Sequence, residues 1–168
     1  MYSGLNVPGM RRVQSAVQDE IRQRRPFSSA AEEGVVALVR TADLLRRALT
    51  QVVEPHGITL QQYNVLRILR GAADEGLPTL EIASRMIEHA PGVTRLLDRL
   101  QAKALVRRER SAEDRRQIRC WIEPAGLRLL ALLEGAMQDG ARRFMAPLAA
   151  SELAAFVTFM DSLRSGLS

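Results

Sequence analysis

The sequence has few of the residues from which enzymes build their active sites. Its 168 residues include one cysteine and two histidines, and aromatic residues make up 4%. A single cysteine excludes an intramolecular disulfide and fits a reducing compartment. No metal-ligand spacing, phosphate-binding loop or nucleophile elbow can be found in it. These absences predict a protein that is not an enzyme and needs no cofactor.

Long apolar runs are also missing. No segment approaches the roughly 18 apolar residues that a membrane-spanning helix requires. The first residues, MYSGLNVPGMRR, lack the apolar core of a signal peptide. We therefore expect a cytoplasmic protein with no membrane contact.

The sequence is rich in aliphatic residues and arginine, a composition that favours helices over sheets. A wide apolar stripe predicts a long helix from Ala30 to Val53, and so broad a stripe needs a large partner surface. Thr59 lies three residues before Gln62, which is the spacing of a capping box and predicts the start of a second helix. Residues 1–29 are expected to form an arm or a short helix.

The middle of the chain predicts two short helices joined by a turn. Thr79 is expected to cap the first, whose inward-facing residues are predicted to be Leu80, Ile82, Ala83, Met86 and Ile87. Pro91 is expected at the first position of the next helix, because proline has no N–H to leave unpaired there. Two such helices with a short turn between them predict a helix-turn-helix. Pro124 is expected to begin a long helix, and Ser151 is expected to cap the last one.

Between these helices the period of the sequence changes. The segments LVRRER and QIRCWIE alternate apolar with polar residues, as half-buried strands do. They flank the stretch SAEDRRQIRC, which becomes the tip of a β-hairpin with Asp114 directly before Arg115 and Arg116. An aspartate can hold such a turn through its own backbone bonds or pair with an arginine. It would order an arginine for insertion into a minor groove, although an ordinary Asp-bearing turn is the alternative.

The positive charge is concentrated in this region. Residues 95–119 contain nine basic and four acidic residues, a difference of +5 that equals the net charge of the whole chain. Arginine suits paired hydrogen bonds to phosphate and guanine, and basic clustering on a helix-turn-helix is typical of a DNA-binding protein. A merely solvated surface is the alternative interpretation.

The pattern resembles the multiple-antibiotic-resistance regulator (MarR) family of winged helix-turn-helix transcription factors. The resemblance runs from about Ile58 to Gly126 and rests on the following stretches: ITLQQYNVLRIL, LEIASRM, PGVTRLLDRLQAKALVRRE, SAEDRRQI and IEPAG. It implies a mainly α fold with a small β-hairpin wing, flanked by terminal dimerisation helices. The implied divisions are an arm at 1–29, a dimerisation helix at 30–57, a winged helix-turn-helix at 58–123 and dimerisation helices at 124–168.

The resemblance also implies a function. The family's recognition helix falls on Pro91 to Lys103, and the family's wing motif Asp-x-Arg falls on Asp114 and Arg116. The residues expected to bind DNA are Thr79, His89, Thr94, Arg95, Arg99, Asp114, Arg115 and Arg116. The implied partners are a second copy of the chain, a pseudo-palindromic double-stranded DNA operator and a small aromatic or lipophilic effector that releases a repressor. A winged helix used for protein or RNA interaction is the alternative.

Three residues depart from the family pattern. His89 replaces a serine that commonly caps the recognition helix, and Glu123 replaces a common threonine before Pro124. Ala104 replaces a glycine before the wing, so a left-handed backbone there is either avoided or costs roughly 1 kcal/mol.

His56 and Tyr63 are a hypothesis for the effector site. Each combines an apolar ring with a polar tip, as ligand sites often do, although both could simply pack the joint before the helix-turn-helix.

Overall fold

A computed structural model describes residues 16–88, 90–110 and 117–166 of the chain. The helices are α1 (Ala16–Glu20), α2 (Ala30–Val53), α3 (Leu60–Gly71), α4 (Thr79–Ser84), α5 (Val93–Ala102), α6 (Pro124–Met145) and α7 (Ala150–Ser165). The strands are β1 (Leu77–Pro78), β2 (Val106–Arg110) and β3 (Ile118–Ile122). The predicted fold class, mainly α with a small β wing, is confirmed.

The chain divides into two compact units, residues 1–45 and residues 46–168. In the first unit, the side chains of Val17 and Phe27 are buried, and Arg40 pairs with Glu20 at 3.3 Å. The Glu32 carboxylate accepts hydrogen bonds from the Ser28 backbone and hydroxyl, at 2.7 and 2.6 Å, and these bonds lower its pKa. These bonds occupy polar groups at the start of α2, which begins and ends where its apolar stripe predicted.

The second unit contains a three-stranded antiparallel sheet and the helices packed on it. The strand order is β1-β3-β2, and the register pairs Arg107 with Trp121 and Arg108 with Cys120. The core of this unit is formed by Val53, Leu66, Leu69, Ile82, Leu97, Leu100, Cys120, Leu130 and Leu133, among others. Gly126 lets α6 approach the sheet, because a Cβ there would lie 2.5 Å from the carbonyl oxygen of Leu105.

Several predicted helix signals are confirmed at atomic level. The Thr59 hydroxyl accepts from the backbone N–H of Gln62 at 3.2 Å, and the Gln62 side chain accepts from the backbone N–H of Thr59 at 3.0 Å. This is the reciprocal pair that defines a capping box. Pro124 begins α6 as predicted, and β2 and β3 lie within the segments predicted as strands.

Other predicted helix starts were wrong. Thr79 does not cap α4: Pro78 holds the cap position, and Thr79 is the first helical residue. Pro91 does not begin α5, because Gly92 takes a left-handed conformation (φ 98°) that delays the helix until Val93. Ser151 lies inside α7, whose start is stabilised by Glu152, which accepts from the Ala149 backbone N–H at 2.7 Å.

The inward face predicted for the first helix of the helix-turn-helix was also wrong. Only Ile82 is buried and Met86 half-buried, whereas Ala83 is exposed and Leu80 and Ile87 are 84% and 79% exposed. The helix stops at Ser84, so Met86 and Ile87 lie beyond it and do not follow helical spacing. Helix α4 and the turn after it therefore bury fewer apolar side chains in the core than the sequence predicted.

A left-handed residue joins α5 to β2. Ala104 has φ 55°, and its N–H donates to the Gln101 carbonyl at 2.9 Å while the Leu105 N–H donates to the Leu100 carbonyl at 3.0 Å. These two bonds and the burial of Leu100 and Leu105 are those of a Schellman motif, which usually has glycine at this position. The left-handed conformation is thus adopted rather than avoided.

Across the described residues, no single helix is both long and apolar enough to cross a membrane. Helices α6 and α7 reach that length and composition only when counted together, and they are bent by 97° at the break between them.

Candidate nucleic-acid interface

Helix α5 separates buried apolar residues from exposed polar ones. Val93, Leu97 and Leu100 are buried in the core of the second unit. On the outer side, the exposed residues are Thr94, Arg95, Asp98, Arg99 and Gln101. This division follows from the helical spacing of Val93, Leu97 and Leu100. It leaves a polar surface with two arginines and one aspartate on a helix of a size that fits a DNA major groove.

Four of the basic residues of this region are held by groups of the protein itself. Arg107 pairs with Glu109 and, at 3.4 Å, with Glu123. Arg119 donates to the Glu75 carbonyl at 2.8 Å, Lys103 donates to the Gly57 carbonyl, and Arg108 binds two side chains of α5. The nine basic residues of 95–119 could not be distinguished from the sequence, but these four bind groups within the protein.

The remaining described cations of the region are Arg95, Arg99 and Arg110. All three are exposed, and none forms an ion pair with another residue in the described ranges 16–88, 90–110 and 117–166. Two of them lie on α5 and the third ends β2. Among the described residues of this region, the guanidiniums without an ion-pair partner therefore lie on α5 and at the end of β2.

The two faces of the sheet have different roles. On the outer face, the Arg107 guanidinium lies 4.1 Å from the centre of the Trp121 ring, a cation–π geometry. The Trp121 indole donates to the Asp74 carbonyl at 3.0 Å, and a Cβ at Gly76 would lie 2.5 Å from that indole. The connector before β1 is thereby fastened to β3. This junction was not predicted, since β1 has only two residues and no apolar alternation.

On the inner face, the Thr79 hydroxyl donates to the Ile118 carbonyl at 3.4 Å and lies 3.8 Å from the sulfur of Cys120. The hydroxyl that was expected to contact DNA is thus engaged with β3. Burial raises the pKa of the Cys120 thiol, while the Thr79 hydrogen bond and the charge of Arg108 act in the opposite direction. The thiol is buried in mid-strand, an environment typical of an unreactive cysteine.

Comparison with known proteins identifies this arrangement. Residues 56–117 match the sequence profile of the MarR family. A solved MarR transcription factor from Planctomyces limnophilus is 38% identical, with 81% of this chain and 98% of that chain covered and a TM-score of 0.64. The chain belongs to the MarR family.

Two further relatives extend the comparison. The HTH-type transcriptional regulator TtmR of Methylorubrum extorquens is 36% identical over 90 residues, which cover 54% of this chain and 45% of TtmR. The match thus spans less than half the length of that regulator. A MarR mutant from E. coli, solved in complex with operator DNA, shares the fold at 23% identity, with a TM-score of 0.69 and coverage of 76% of this chain and 90% of that chain.

As a MarR-family protein, this chain has its helix-turn-helix at α4 and α5 and its wing at β2 and β3. Helix α5, on which the predicted recognition helix falls, runs from Val93 to Ala102 rather than from Pro91 to Lys103. The wing tip, with Asp114, Arg115 and Arg116, lies outside the described residues, as does His89. Their roles stay predictions.

The predicted effector pair is not enclosed. His56 is exposed in a short 3-10 helix, and Tyr63 is half-buried against the core. A shallow cleft of about 400 Å³ lies further along α3, lined by Asn64, Arg67, Ile68, Arg70, Gly71 and Ile87. His56 and Tyr63 are not among its lining residues. Within the described part of the chain, no three His, Cys, Asp or Glu residues are grouped as a metal site would need.

Proposed function

We propose that this MarR-family protein is a sequence-specific DNA-binding transcription regulator that acts as a homodimer on a pseudo-palindromic operator. The carrying observation is the surface of α5, where Thr94, Arg95 and Arg99 are exposed opposite a buried stripe and the two arginines have no described ion-pair partner. In helix-turn-helix proteins the second helix enters the major groove. Arg95, near the helix N-terminus, is then placed to contact base edges, and Arg99 to contact bases or phosphates.

The wing supplies a second contact in this proposal. Strand β2 ends at the exposed Arg110, and the next residues are the SAEDRR segment with Asp114 and Arg116. A guanidinium at such a tip is attracted by the negative potential of a narrow minor groove. Asp114 would hold the turn in the inserting conformation, which reduces the entropy that the arginine loses on binding.

Homodimer formation is supported by apolar residues that a single chain leaves uncovered. No residue of α7 is buried, although Leu153, Val157, Phe159 and Leu163 are apolar, and Phe159 is 65% exposed. Exposed apolar residues also occur on α2, at Val35 and Val39, and on α6, at Leu132. Monomeric soluble proteins rarely expose large contiguous apolar patches, so the exposed apolar residues along α7 support a partner surface there. A two-fold dimer carries two copies of α5, which accounts for a pseudo-palindromic operator.

Repression and effector release complete the proposal, together with a cytoplasmic location beside the DNA. A small aromatic or lipophilic acid is the effector class that the family implies. The cleft on α3 supports an acid, because Arg67 and Arg70 lie beside the apolar side chains of Ile68 and Ile87. Arg70 is only loosely paired, at 3.9 Å from Glu134. The cleft thus offers two guanidinium groups to a carboxylate, and neither His56 nor Tyr63 is among its lining residues.

Selection from a random-sequence duplex library tests operator recognition. We expect the wild-type protein to enrich one two-fold symmetric motif and to bind it about 10³-fold or more tightly than a scrambled duplex at physiological salt. Arg95→Ala should abolish the enrichment, whereas Arg142→Ala, a change of the same charge on α6, should leave it intact. Equal affinity for all duplexes, or capture of protein or RNA alone, would support the interaction-module alternative.

A panel of aromatic carboxylates tests the effector. Binding should raise the melting temperature and lower the affinity for the enriched duplex together, because a ligand shifts DNA binding only through its different affinity for the two states. Arg67→Ala should abolish both effects if the cleft is the site, and His56→Ala or Tyr63→Ala if the predicted pair is. Ligands that stabilise the protein and leave duplex affinity unchanged would remove the switch.

A further inference from the structure

Arg108 of β2 is bound by two side chains of the recognition helix. Its Nε donates to Oε1 of Gln101 at 2.6 Å, and its Nη2 donates to Oδ1 of Asp98. Asp98 and Gln101 are three residues apart, so they lie on the same face of α5. The planar guanidinium holds its donors in a fixed fork, which suits two acceptors at this spacing.

Of the three side chains, only that of Arg108 is largely withdrawn from solvent, while Asp98 and Gln101 are exposed above it. The Arg108 side chain is 18% exposed, whereas Asp98 is 54% exposed. Arg108 is paired in register with Cys120, so its backbone is held against β3. Its charge is balanced by Asp98, the one acidic residue among the exposed positions of α5. Arg108 is therefore poorly placed to neutralise a phosphate.

The contact joins two elements that are neighbours along the chain. Helix α5 passes to β2 through the Schellman motif at Ala104, and ten residues separate Asp98 from Arg108. The side-chain contact is a second link between α5 and β2, in addition to the motif and the packing of Leu100 and Leu105 in the core.

We propose that Arg108, Asp98 and Gln101 form a positioning clamp that sets the wing relative to the recognition helix, and that none of the three owes its role to a DNA contact. The clamp rests on the proposed operator recognition. Only a protein that binds the major and the minor groove at once needs a fixed distance between its recognition helix and its wing. Preorganisation of this kind reduces the free energy lost on binding.

The clamp predicts an unusual direction for the change in DNA affinity when one negative charge is removed. Removal of a negative charge from a DNA-binding surface ordinarily strengthens binding through the phosphates. Asp98→Ala should instead weaken binding to the selected duplex, because it frees Arg108 and loosens the wing. Binding to a scrambled duplex, which depends on charge, should stay the same or become tighter. Glu109→Gln removes one negative charge from β2 without touching α5, and it serves as the matched control that should not weaken selective binding.

The experiment measures the affinity of each variant for the duplex that the wild type enriches and for a scrambled duplex, over a series of salt concentrations. We expect Asp98→Ala and Arg108→Met each to lose about tenfold in affinity for the enriched duplex. Neither should change the slope of log K against log salt, and the double variant should lose no more than either single one. Arg99→Met, the control for a direct phosphate contact, should reduce that slope by about 0.9.

Three results would overturn the clamp: unchanged or tighter binding of the enriched duplex by Asp98→Ala, a slope reduced by about one in Arg108→Met, or additive losses in the double variant. Thermal melting monitors folding, and if Arg108→Met fails to fold, Asp98→Ala and Gln101→Met decide the question, since alanine and methionine favour helix. A wild-type protein that enriches no sequence would instead refute the proposed function itself, and the clamp with it.

Discussion

Replacing Ala104 by glycine should stabilise the protein. Ala104 has φ 55° at the C-terminal cap of α5, where both hydrogen bonds of the Schellman motif are formed by backbone groups. Glycine can keep those bonds, because it adopts the left-handed region without a clash of its own Cβ. The substitution therefore removes strain and no contact of the motif.

The expected gain follows from two opposing terms. An L-residue in the left-handed region costs about 1–2 kcal/mol. Glycine gives back about 0.4–1 kcal/mol, because it increases the conformational entropy of the unfolded chain. The difference is a rise of about 0.5–1 kcal/mol in the free energy of unfolding, or about 1–4 °C in melting temperature for a chain of this length.

Urea denaturation at a fixed protein concentration measures this change, since the apparent stability of a dimer depends on its concentration. The midpoint should rise with an unchanged slope. Ala102→Gly is the matched control: it makes the same chemical change at the last residue of α5 and should destabilise by about 0.5–1 kcal/mol. If Ala104→Gly lowers the midpoint as Ala102→Gly does, the cap is not strained and the reasoning fails.

Three further predictions concern DNA, assembly and pH. Arg116→Ala should weaken binding to the enriched duplex by about 1–3 kcal/mol with the melting temperature unchanged, and Asp114→Ala should weaken it too; a charge-driven gain of affinity in Asp114→Ala would exclude its bracing role. Leu49→Glu, beside Gly140 on α6, should abolish the folded dimer rather than release a soluble monomer, because folding and association are linked in such pairs; light scattering that detects a folded monomer would contradict this. Burial raises the pKa of Cys120 above its ordinary 9.0, so the neutral thiol is favoured in the folded state, and the free energy of unfolding should fall as the pH rises above about 9. Denaturation curves from about pH 8 to pH 10 should show that decline in the wild type and a smaller one in Cys120→Ala.

The sequence predicted those parts of the fold that depend on local chemistry. The limits of α2 and the capping box of α3 follow from spacing within a few residues, and both were confirmed. The start of α5 was harder to predict, because Pro91 and Gly92 each suit a helix start and only the backbone shows that Gly92 is left-handed. Thr79 suits a helix cap equally well, but its hydroxyl is engaged with Ile118, a partner 39 residues away in sequence.

The same limit applies to the site. Composition located the positive charge in residues 95–119, and the α5 residues expected to bind DNA, Thr94, Arg95 and Arg99, are exposed. Composition could not separate the arginines with internal partners, Arg107, Arg108 and Arg119, from Arg95 and Arg99, because most of those partners lie in other elements. The order of these partners along the chain has no regular period, so no pattern in one sequence indicates them.

The junction between Trp121 and the connector before β1 provides an intrinsic fluorescent probe of the wing. Trp121 is the single tryptophan of the chain, so all tryptophan emission comes from the base of the wing. The indole is held by the Asp74 carbonyl and covered by the Arg107 guanidinium, and its emission responds to changes in either neighbour. When a duplex is added, a shift in wavelength or intensity therefore reports a rearrangement at the wing rather than an average over the molecule. Unlabelled protein is sufficient to follow wing movement in a stopped-flow instrument.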